Sequence, residues 1–299
     1  MGLKRLTLKE KNLFSYYLNL KQHQLSVYSF LNIYIWKKLF NIYWLVFKDS
    51  LFVFFQDSMG CFMYLPPLGK KINPKLIKEA FNIMDSFNKN KLICRIENVE
   101  GKDLDFYKEL GYRYFIKSED YLCKRSELVE LKGSRFKAKR ACFNYFLRNY
   151  HFKYLPFNLE YKDSCFKLYQ EWLFQRESKP QAPLYNAMLK DMRSCLEVLL
   201  EDYLSLDVVG RIVLVEGVLK GVSFGFALNK ETFCILYELT DLSIKGLAQF
   251  IFRMFCSELN SYYYINMMDD SGIKNLKETK LSYRPVRLIP NYTIIREYA

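Results

Sequence analysis

The sequence predicts the same order of strands and helices in both halves of the chain. Three apolar, β-branched or aromatic runs in the first half predict strands at 42–47, 51–55 and 61–65. Three similar runs in the second half predict strands at 207–216, 222–228 and 233–239. In each half a helix, a strand, a second helix and a last strand follow. This order, in 299 residues, predicts an α+β protein of two units with mixed, largely antiparallel sheets.

A strongly basic segment lies between the two halves. From Glu127 to about Tyr150 the spacing predicts one helix, with Phe136, Phe143 and Leu147 forming its apolar stripe. We therefore expect a first domain at 1–125, a basic connecting helix at 126–150 and a second domain at 151–299. Asn73 followed by Pro74 predicts the start of the first long helix, because Asn caps a helix and Pro fits its first turn.

The charge balance indicates an anionic partner. Lysine and arginine number 45 against 32 acidic residues, which gives a net charge of +13. Such a surface attracts nucleic acid, nucleotide phosphates or anionic lipid, and the charge alone does not choose among them. With only two histidines and no CxxC motif, a His-rich or zinc-ribbon metal site is excluded. Charged residues interrupt the apolar stretch from Leu25 to Phe55, and its run Leu39–Phe47 is too short to cross a bilayer, so we expect a cytoplasmic protein.

Two segments resemble the patterns of a known family. Residues 131–140 read LKGSRFKAKR, and residues 266–285 read NMMDDSGIKNLKETKLSYRP. They resemble the patterns L-x-G-x-x-[FY]-x-x-K-R and N-R-E-x-D-x-G-I-x-x-L-R-x-x-K-x-S-Y-x-P of the DUF2156 family, which is related to the C-terminal domain of phosphatidylglycerol lysyltransferase. Supporting matches are Trp36, the run Pro66-Pro67-Leu68-Gly69, and Lys245-Gly246 with Gln249.

The resemblance implies two tandem GNAT-like (acyl-CoA N-acyltransferase) domains. It also implies a donor that is an aminoacyl-tRNA or an acyl-coenzyme A, with no tightly bound cofactor. The better understood relatives move an aminoacyl group onto a lipid headgroup or a cell-wall peptide. The chain departs from the family pattern at Met267 and Met268, which replace its arginine and glutamate, and at Ala141 after the K-R pair.

Acyl transfer needs a proton acceptor and a donor to the reacting carbonyl. We take Glu238 on the third strand of the second half and Asp270 as candidate bases, and Asn266 as a candidate donor. A carboxylate facing an apolar cleft would have a raised pKa. The alternatives remain open: Glu238 as an ion-paired strand residue, Asp270 as the cap of a helix near Ile273, and Asn266 as a turn residue.

Two further groups are candidates for binding the donor. Lys245, Gly246 and Gln249 open a helix directly after a strand, where backbone amides cradle a pyrophosphate in GNAT folds. A single glycine makes this a weak coenzyme A pattern, equally typical of an ordinary helix start. The basic residues that we expect to form a phosphate-binding wall, with Tyr283 stacking on a base, are Lys132, Lys137, Lys139, Arg140, Lys277 and Lys280. The alternative for these cations is a solvated helix face.

The leading interpretation is therefore an acyl- or aminoacyl-transferase. A rival of another class is a non-catalytic GNAT-fold protein that binds an anionic ligand such as tRNA, a nucleotide or a lipid headgroup, and the two methionine replacements favour it. A general nucleic-acid-binding protein is a third interpretation that rests on the charge alone. Peripheral contact with an anionic lipid surface is compatible with each of them.

Overall fold

The protein forms two compact units in a computed structural model that describes residues 2–177 and 183–297. The first unit comprises Met1–Asp120, Asp269–Gly272 and Leu288–Ala299, and the second comprises Tyr121–Met268 and Ile273–Arg287. The expected boundaries at 125 and 150 stay a prediction. The structure assigns the end of the chain to the first unit and the basic segment to the second.

Most elements follow the predicted order along the chain. Those of the first part are β1 (Lys4–Arg5), α1 (Lys11–Leu18), α2 (Phe30–Tyr34), β2 (Asn41–Phe47), β3 (Ser50–Gln56), β4 (Cys61–Leu68), α3 (Pro74–Phe87), β5 (Arg95–Glu100), α4 (Leu104–Glu109) and β6 (Arg113–Lys124). Those of the rest are α5 (Arg125–Glu130), α6 (Lys137–Asn149), β7 (Phe152–Pro156), α7 (Lys162–Glu177), α8 (Pro183–Glu201), β8 (Val209–Val215), β9 (Val218–Ala227), β10 (Thr232–Thr240), α9 (Leu247–Glu258), β11 (Tyr264–Asn266), α10 (Lys274–Leu281) and β12 (Arg287–Ile295). Of these elements, β1, α2 and β7 were not predicted.

The sheet of the first unit has the strand order β1-β2-β3-β4-β5-β12. Lys48 and Asp49 close the β2–β3 hairpin with positive φ angles of 46° and 57°, as in the tight turns that match strand twist. β4 and β5 are parallel and pair through Met63 and Ile96, while the other neighbouring strands of this sheet run antiparallel. The predicted start of α3 is confirmed, because the Asn73 side chain accepts hydrogen bonds from the first-turn amides.

The sheet of the second unit has the order β6-β11-β10-β9-β8-β7. β10 and β11 are parallel and pair from Thr232–Cys234 to Tyr264–Asn266. β10 then continues to Thr240 with no strand pairing recorded on that side among the described residues. A register shift against β9 between Ile235 and Tyr237 marks the same point. The two parallel strands therefore diverge, and this opening positions the candidate site.

The prediction of one continuous basic helix from Glu127 to Tyr150 is wrong. The chain ends α5 at Leu131, which adopts a left-handed φ of 50°, and turns again at Gly133 with a φ of 84° before α6 begins. The buried stripe of α6 is Phe143 and Phe146, whereas Leu147 is 43% exposed. This stripe packs against α9 in the core of the second unit, so α6 is part of that unit.

Within residues 2–177 and 183–297, no helix is both long enough and apolar enough to cross a membrane.

Candidate active site

Glu238 lies where β10 has left β11. It is four residues beyond Cys234, the last β10 residue that pairs with β11, and on its other side it pairs with Ser223 of β9. The residue as a whole is partly buried, and the surrounding packing desolvates its carboxyl. Among the described residues, no hydrogen bond or ion pair within 4 Å is recorded for this carboxyl. An unpaired carboxyl at a strand opening is a candidate for proton transfer.

The surroundings of Glu238 change its acidity. Burial raises the pKa of its carboxyl from the ordinary 4.5 to about 8, and the positive charges of Lys139 and Lys280 act in the opposite direction. The carboxyl is therefore mostly protonated at neutral pH and exchanges its proton just above it. A general acid–base catalyst is most effective when its pKa lies near the working pH.

Lys139 of α6 is held beside this carboxyl by an aromatic ring. Its Nζ lies 3.9 Å from the ring centroid of Tyr283, which is 8% exposed. The Tyr283 ring in turn packs 4.7 Å from the ring of Phe252 on α9. Burial lowers the pKa of the Lys139 ammonium, while the nearby Glu238 acts to raise it. The ring face stabilises the partly desolvated ammonium.

Lys280 of α10 is the second cation at this place. Its Nζ donates a hydrogen bond of 2.5 Å to the backbone carbonyl of Met267 and lies 5.9 Å from the ring centroid of Tyr121. The Met267 amide donates to the carbonyl of Tyr121, so the segment after β11 is fixed to the end of β6. Lys280 thus has a structural bond and still contributes its charge to Glu238.

The two family-like segments meet at Glu238. Lys139 belongs to the first segment, and Lys280 and Tyr283 belong to the second. Arg140, next to Lys139, donates to the carbonyls of Leu131 and, at 2.7 Å, of Gly133. It therefore holds the turn between α5 and α6, and that turn positions Lys139.

Asn266 and the two methionines form the turn at the end of β11. Asn266 is fully buried, and its Oδ1 accepts a 2.6 Å hydrogen bond from the Met268 amide. Met268 has a left-handed φ of 59°, which this side-chain bond supports. The interpretation of Asn266 as a turn residue therefore has a direct structural basis. Its role as a donor to a reacting carbonyl stays a prediction.

Asp270 lies in a tight turn that belongs to the first unit. Its Oδ1 accepts a 2.9 Å hydrogen bond from the Gly272 amide. The alternative that Asp270 caps the following helix is wrong, because Ile273 is the N-cap of α10 and makes no side-chain capping bond. The role of Asp270 as a base stays a prediction.

The helix start at α9 is built for close packing. Gly246 has a φ of 86°, and a Cβ added there would lie 2.1 Å from the carbonyl oxygen of Cys142 on α6. Glycine is thus required by the approach of the two helices. Lys245 is exposed, with its Nζ 4.6 Å from the ring centroid of Tyr145, and Gln249 is half-buried in the first turn of α9.

The loop before α9 has already used several of its amides. The carboxylate of Asp241 accepts the amide of Ser243 at 2.9 Å, and the side-chain oxygen of Gln175 accepts the amide of Leu242 at 3.1 Å. The amides of Ile244 and Leu247 donate to backbone carbonyls within the same loop. An ammonium group, that of Lys220, lies 2.8 Å from Asp241 and helps to hold the pKa of its carboxyl well below the usual range. Lys220 therefore balances the charge of Asp241, and among the described residues the amides of Lys245, Gly246, Ala248 and Gln249 have no acceptor.

The other predicted cations are elsewhere. Lys132 forms a 3.0 Å ion pair with Glu130, and Lys137 and Lys277 are exposed on helices α6 and α10. Of the residues expected to form one phosphate-binding wall, the structure brings Lys139, Lys280 and Tyr283 to Glu238 and gives Arg140 a local role. Among the described residues, no group of His, Cys, Asp and Glu side chains is suited to hold a metal ion.

No role was assigned to Tyr121 or Asp241 from the sequence. Tyr121 comes from a strand far away in sequence, and no spacing marks it. Asp241 has a readable signal, since Asp followed two residues later by Ser is typical of a side-chain-bonded turn.

Surface concavities are also present in the first unit. One, beside His23 and Pro66, has a free volume of about 10 Å³, which is room for about one water molecule. A second, beside Arg5 and Lys37, encloses about 470 Å³. Neither includes Glu238.

Comparisons with known proteins agree with the motif evidence. Residues 18–295 match the family described as the C-terminal domain of phosphatidylglycerol lysyltransferase. A crystal structure of a protein of unknown function from Bacteroides thetaiotaomicron is similar over 99% of this chain and 100% of that chain, with 26% identity and a TM-score of 0.87. No curated protein sequence matches the chain.

More distant structures show the fold. L-PGS from Bacillus licheniformis is similar over 96% of this chain and 92% of that chain, with 17% identity and a TM-score of 0.68. A tandem GNAT protein from the clavulanic acid biosynthesis pathway is similar over 98% and 97%, with 7% identity and a TM-score of 0.52. The prediction of an α+β fold of tandem GNAT-like type is confirmed.

Proposed function

The chain belongs to the family of the phosphatidylglycerol lysyltransferase C-terminal domain, and on that basis we propose that it transfers an acyl or aminoacyl group, with Glu238 as the proton acceptor. The observation that carries this proposal is the position of Glu238. It is an unpaired carboxyl with a pKa raised to about 8, at the point where two parallel strands separate in an acyltransferase fold.

In the proposed reaction Glu238 accepts one proton from the attacking group and later gives it to the leaving group. The ionised carboxylate of Glu238 accepts the proton from the acceptor's hydroxyl or amine as that group attacks the carbonyl carbon of the donor. A new bond forms at this carbon, and its oxygen becomes negatively charged. When the intermediate collapses, the bond to the carrier breaks, and Glu238 returns the proton to the carrier's leaving oxygen or sulfur. The residue ends in the state in which it began.

Lys139 and Lys280 contribute through their charges. Both are close enough to Glu238 to lower the pKa of its carboxyl, so they increase the fraction that is ionised at neutral pH. The same charges stabilise negative charge that develops nearby on the reacting carbonyl oxygen. Tyr283 positions the ammonium of Lys139, because its ring face lies 3.9 Å from that group.

The helix start at α9 gives weak support to a coenzyme A thioester as donor, so we take an aminoacyl-tRNA as the donor to test first. A coenzyme A donor needs unused amides at this helix start to bind its pyrophosphate. The amides of Leu242 and Ser243 have side-chain acceptors, and one glycine, Gly246, stands in the turn. An ester at the end of a tRNA does not depend on that loop.

The test is direct measurement of transfer. The purified protein is incubated with radiolabelled aminoacyl-tRNA or with radiolabelled acyl-coenzyme A, in the presence of phosphatidylglycerol or of cell-wall peptides. We expect transfer from the tRNA ester, and a loss of about 10²- to 10⁴-fold in Glu238→Gln, which removes the proton acceptor. Glu231→Gln is the matched control, because Glu231 is exposed just before the same strand.

A second function has one specific observation in its favour. Met267 and Met268 stand where the family pattern has arginine and glutamate, so a non-catalytic protein that binds an anionic ligand is the alternative. Binding of tRNA without transfer to any acceptor, with Glu238→Gln indistinguishable from wild type, would establish it.

A further inference from the structure

A wide polar groove lies in the first unit, and its lining contains none of the residues assigned to the candidate active site. It encloses about 470 Å³ and is formed where β1, the turn after α2, the start of β2 and the end of β3 come together. Its lining includes the cations Arg5, Lys37 and Lys38. Neutral hydrogen-bonding side chains, Asn41 and Gln56, complete one wall, and these two residues face each other in the β2–β3 pairing.

The groove carries a net positive charge. The acidic residue in its lining is Asp57, and the carboxylate of Asp57 accepts the amides of Met59 at 2.9 Å and Gly60 at 3.1 Å in the turn after β3. Lys37 is held in place by the hydroxyl of Tyr34 at 2.6 Å. Three cations against one carboxylate that already serves a turn make the groove attractive to phosphates.

Aromatic rings lie at the same place. Phe40 lines the groove, and its ring centroid lies 6.0 Å from that of the partly exposed Trp36. Cations that contact phosphates together with partly exposed rings that contact bases are the features shared by surfaces that bind nucleic acid.

We propose that this groove binds the phosphate backbone of an RNA, with Arg5, Lys37 and Lys38 as the phosphate contacts. The proposal rests on the proposed function only in its choice of RNA, which there is the body of the tRNA that carries the donor ester. A lipid surface fits less well, because most of the lining of the groove is polar and it presents little apolar surface to enter the headgroup region.

The test measures binding of unfractionated deacylated tRNA by the full chain, between about 50 mM and about 200 mM salt. We expect the variant Arg5→Gln/Lys37→Gln/Lys38→Gln to bind more weakly and to lower the slope of log K against log salt by about 3. The matched control is Lys71→Gln/Lys75→Gln/Lys78→Gln, which removes the same charge from exposed positions in and before α3 and should leave the slope close to that of wild type. The single variant Arg5→Gln should lower it by about 1 and guards against misfolding of the triple variant.

The same variants are tested for binding to vesicles of equal parts phosphatidylglycerol and phosphatidylcholine. The proposal is overturned if the triple variant binds tRNA like wild type, or if the control variant loses as much tRNA affinity. It is also overturned if the triple variant loses affinity for the vesicles and not for tRNA. Failure of the proposed RNA-binding groove can be distinguished from failure of the proposed transfer reaction. Glu238→Gln should keep full tRNA affinity while it loses transfer, and transfer that persists in the groove variant with unchanged tRNA affinity rejects the groove alone.

Discussion

Replacing Glu238 with glutamine should stabilise the protein at alkaline pH while it removes the proposed activity. Burial raises the pKa of this carboxyl to about 8 in the folded chain, against 4.5 when it is exposed to water. Ionisation is therefore easier in the unfolded chain. The contribution of Glu238 to the free energy of unfolding is largest below pH 4.5 and is lost as the pH rises to about 8. The stability of the wild-type protein should therefore fall across this range.

The size of the effect follows from these two values. At about 1.4 kcal/mol for each tenfold change, the difference between 4.5 and about 8 is worth about 5 kcal/mol when Glu238 is fully ionised in both states. At pH 7, where the folded carboxyl is still mostly protonated, the loss is roughly 3 kcal/mol. Glu238 is partly exposed, so solvent screening makes both figures upper limits.

The assay is urea-induced unfolding of wild type and Glu238→Gln at pH 5, 7 and 9. We expect the free energy of unfolding of the variant, relative to wild type, to increase steadily with pH. The matched control is Glu97→Gln on β5. Glu97 is also buried but is paired with Lys117 and, at 2.6 Å, with Arg95, whose charges hold the pKa of its carboxyl below the usual range. That variant should lose stability at neutral pH, because two cations are left without their partner.

A difference in the free energy of unfolding between Glu238→Gln and wild type that stays constant from pH 5 to 9 would contradict a raised pKa of the Glu238 carboxyl. A variant less stable than wild type at pH 9 would contradict the expected stabilisation.

Three further changes test other parts of the structure. Gly246→Ala should lower the free energy of unfolding by more than about 3 kcal/mol, because its Cβ would lie 2.1 Å from the carbonyl oxygen of Cys142; a thermal melt close to that of wild type would contradict this. Lys139→Met should shift the rise of transfer activity to higher pH, since a charge that lowers the pKa of Glu238 is gone; an unshifted pH–rate profile would count against it. Hydrogen-bond donors around Glu100 lower the pKa of its carboxyl to about 2, so wild type should lose stability as the pH falls from 4.5 to 2, and acid titration of Glu100→Gln should lack this step.

Local signals in the sequence were sufficient for most of the secondary structure. The Asn73-Pro74 start of α3 and the hairpin turn at Lys48 and Asp49 follow from side-chain capping and backbone preferences that act over a few residues. The continuous basic helix failed for a related reason. Leu131 adopts a left-handed conformation that residues other than glycine, Asn and Asp rarely take, and it is held there by Arg140, nine residues away.

The sequence by itself also singled out four residues that the structure brings together at the candidate site, but not how they are arranged. Glu238, Lys139, Lys280 and Tyr283 were each recognisable, three of them from the family-like segments. Lys139 and Lys280 were expected on a phosphate-binding wall, and the structure puts them beside the carboxyl. Only the tertiary structure decided this, because Lys139, Glu238 and Lys280 are each more than 40 residues apart in the sequence, and because the pKa of Glu238 depends on desolvation by the packing of their elements. Residue type and local pattern belong to the sequence, whereas burial, charge proximity and hence acidity exist only once distant segments have been brought together.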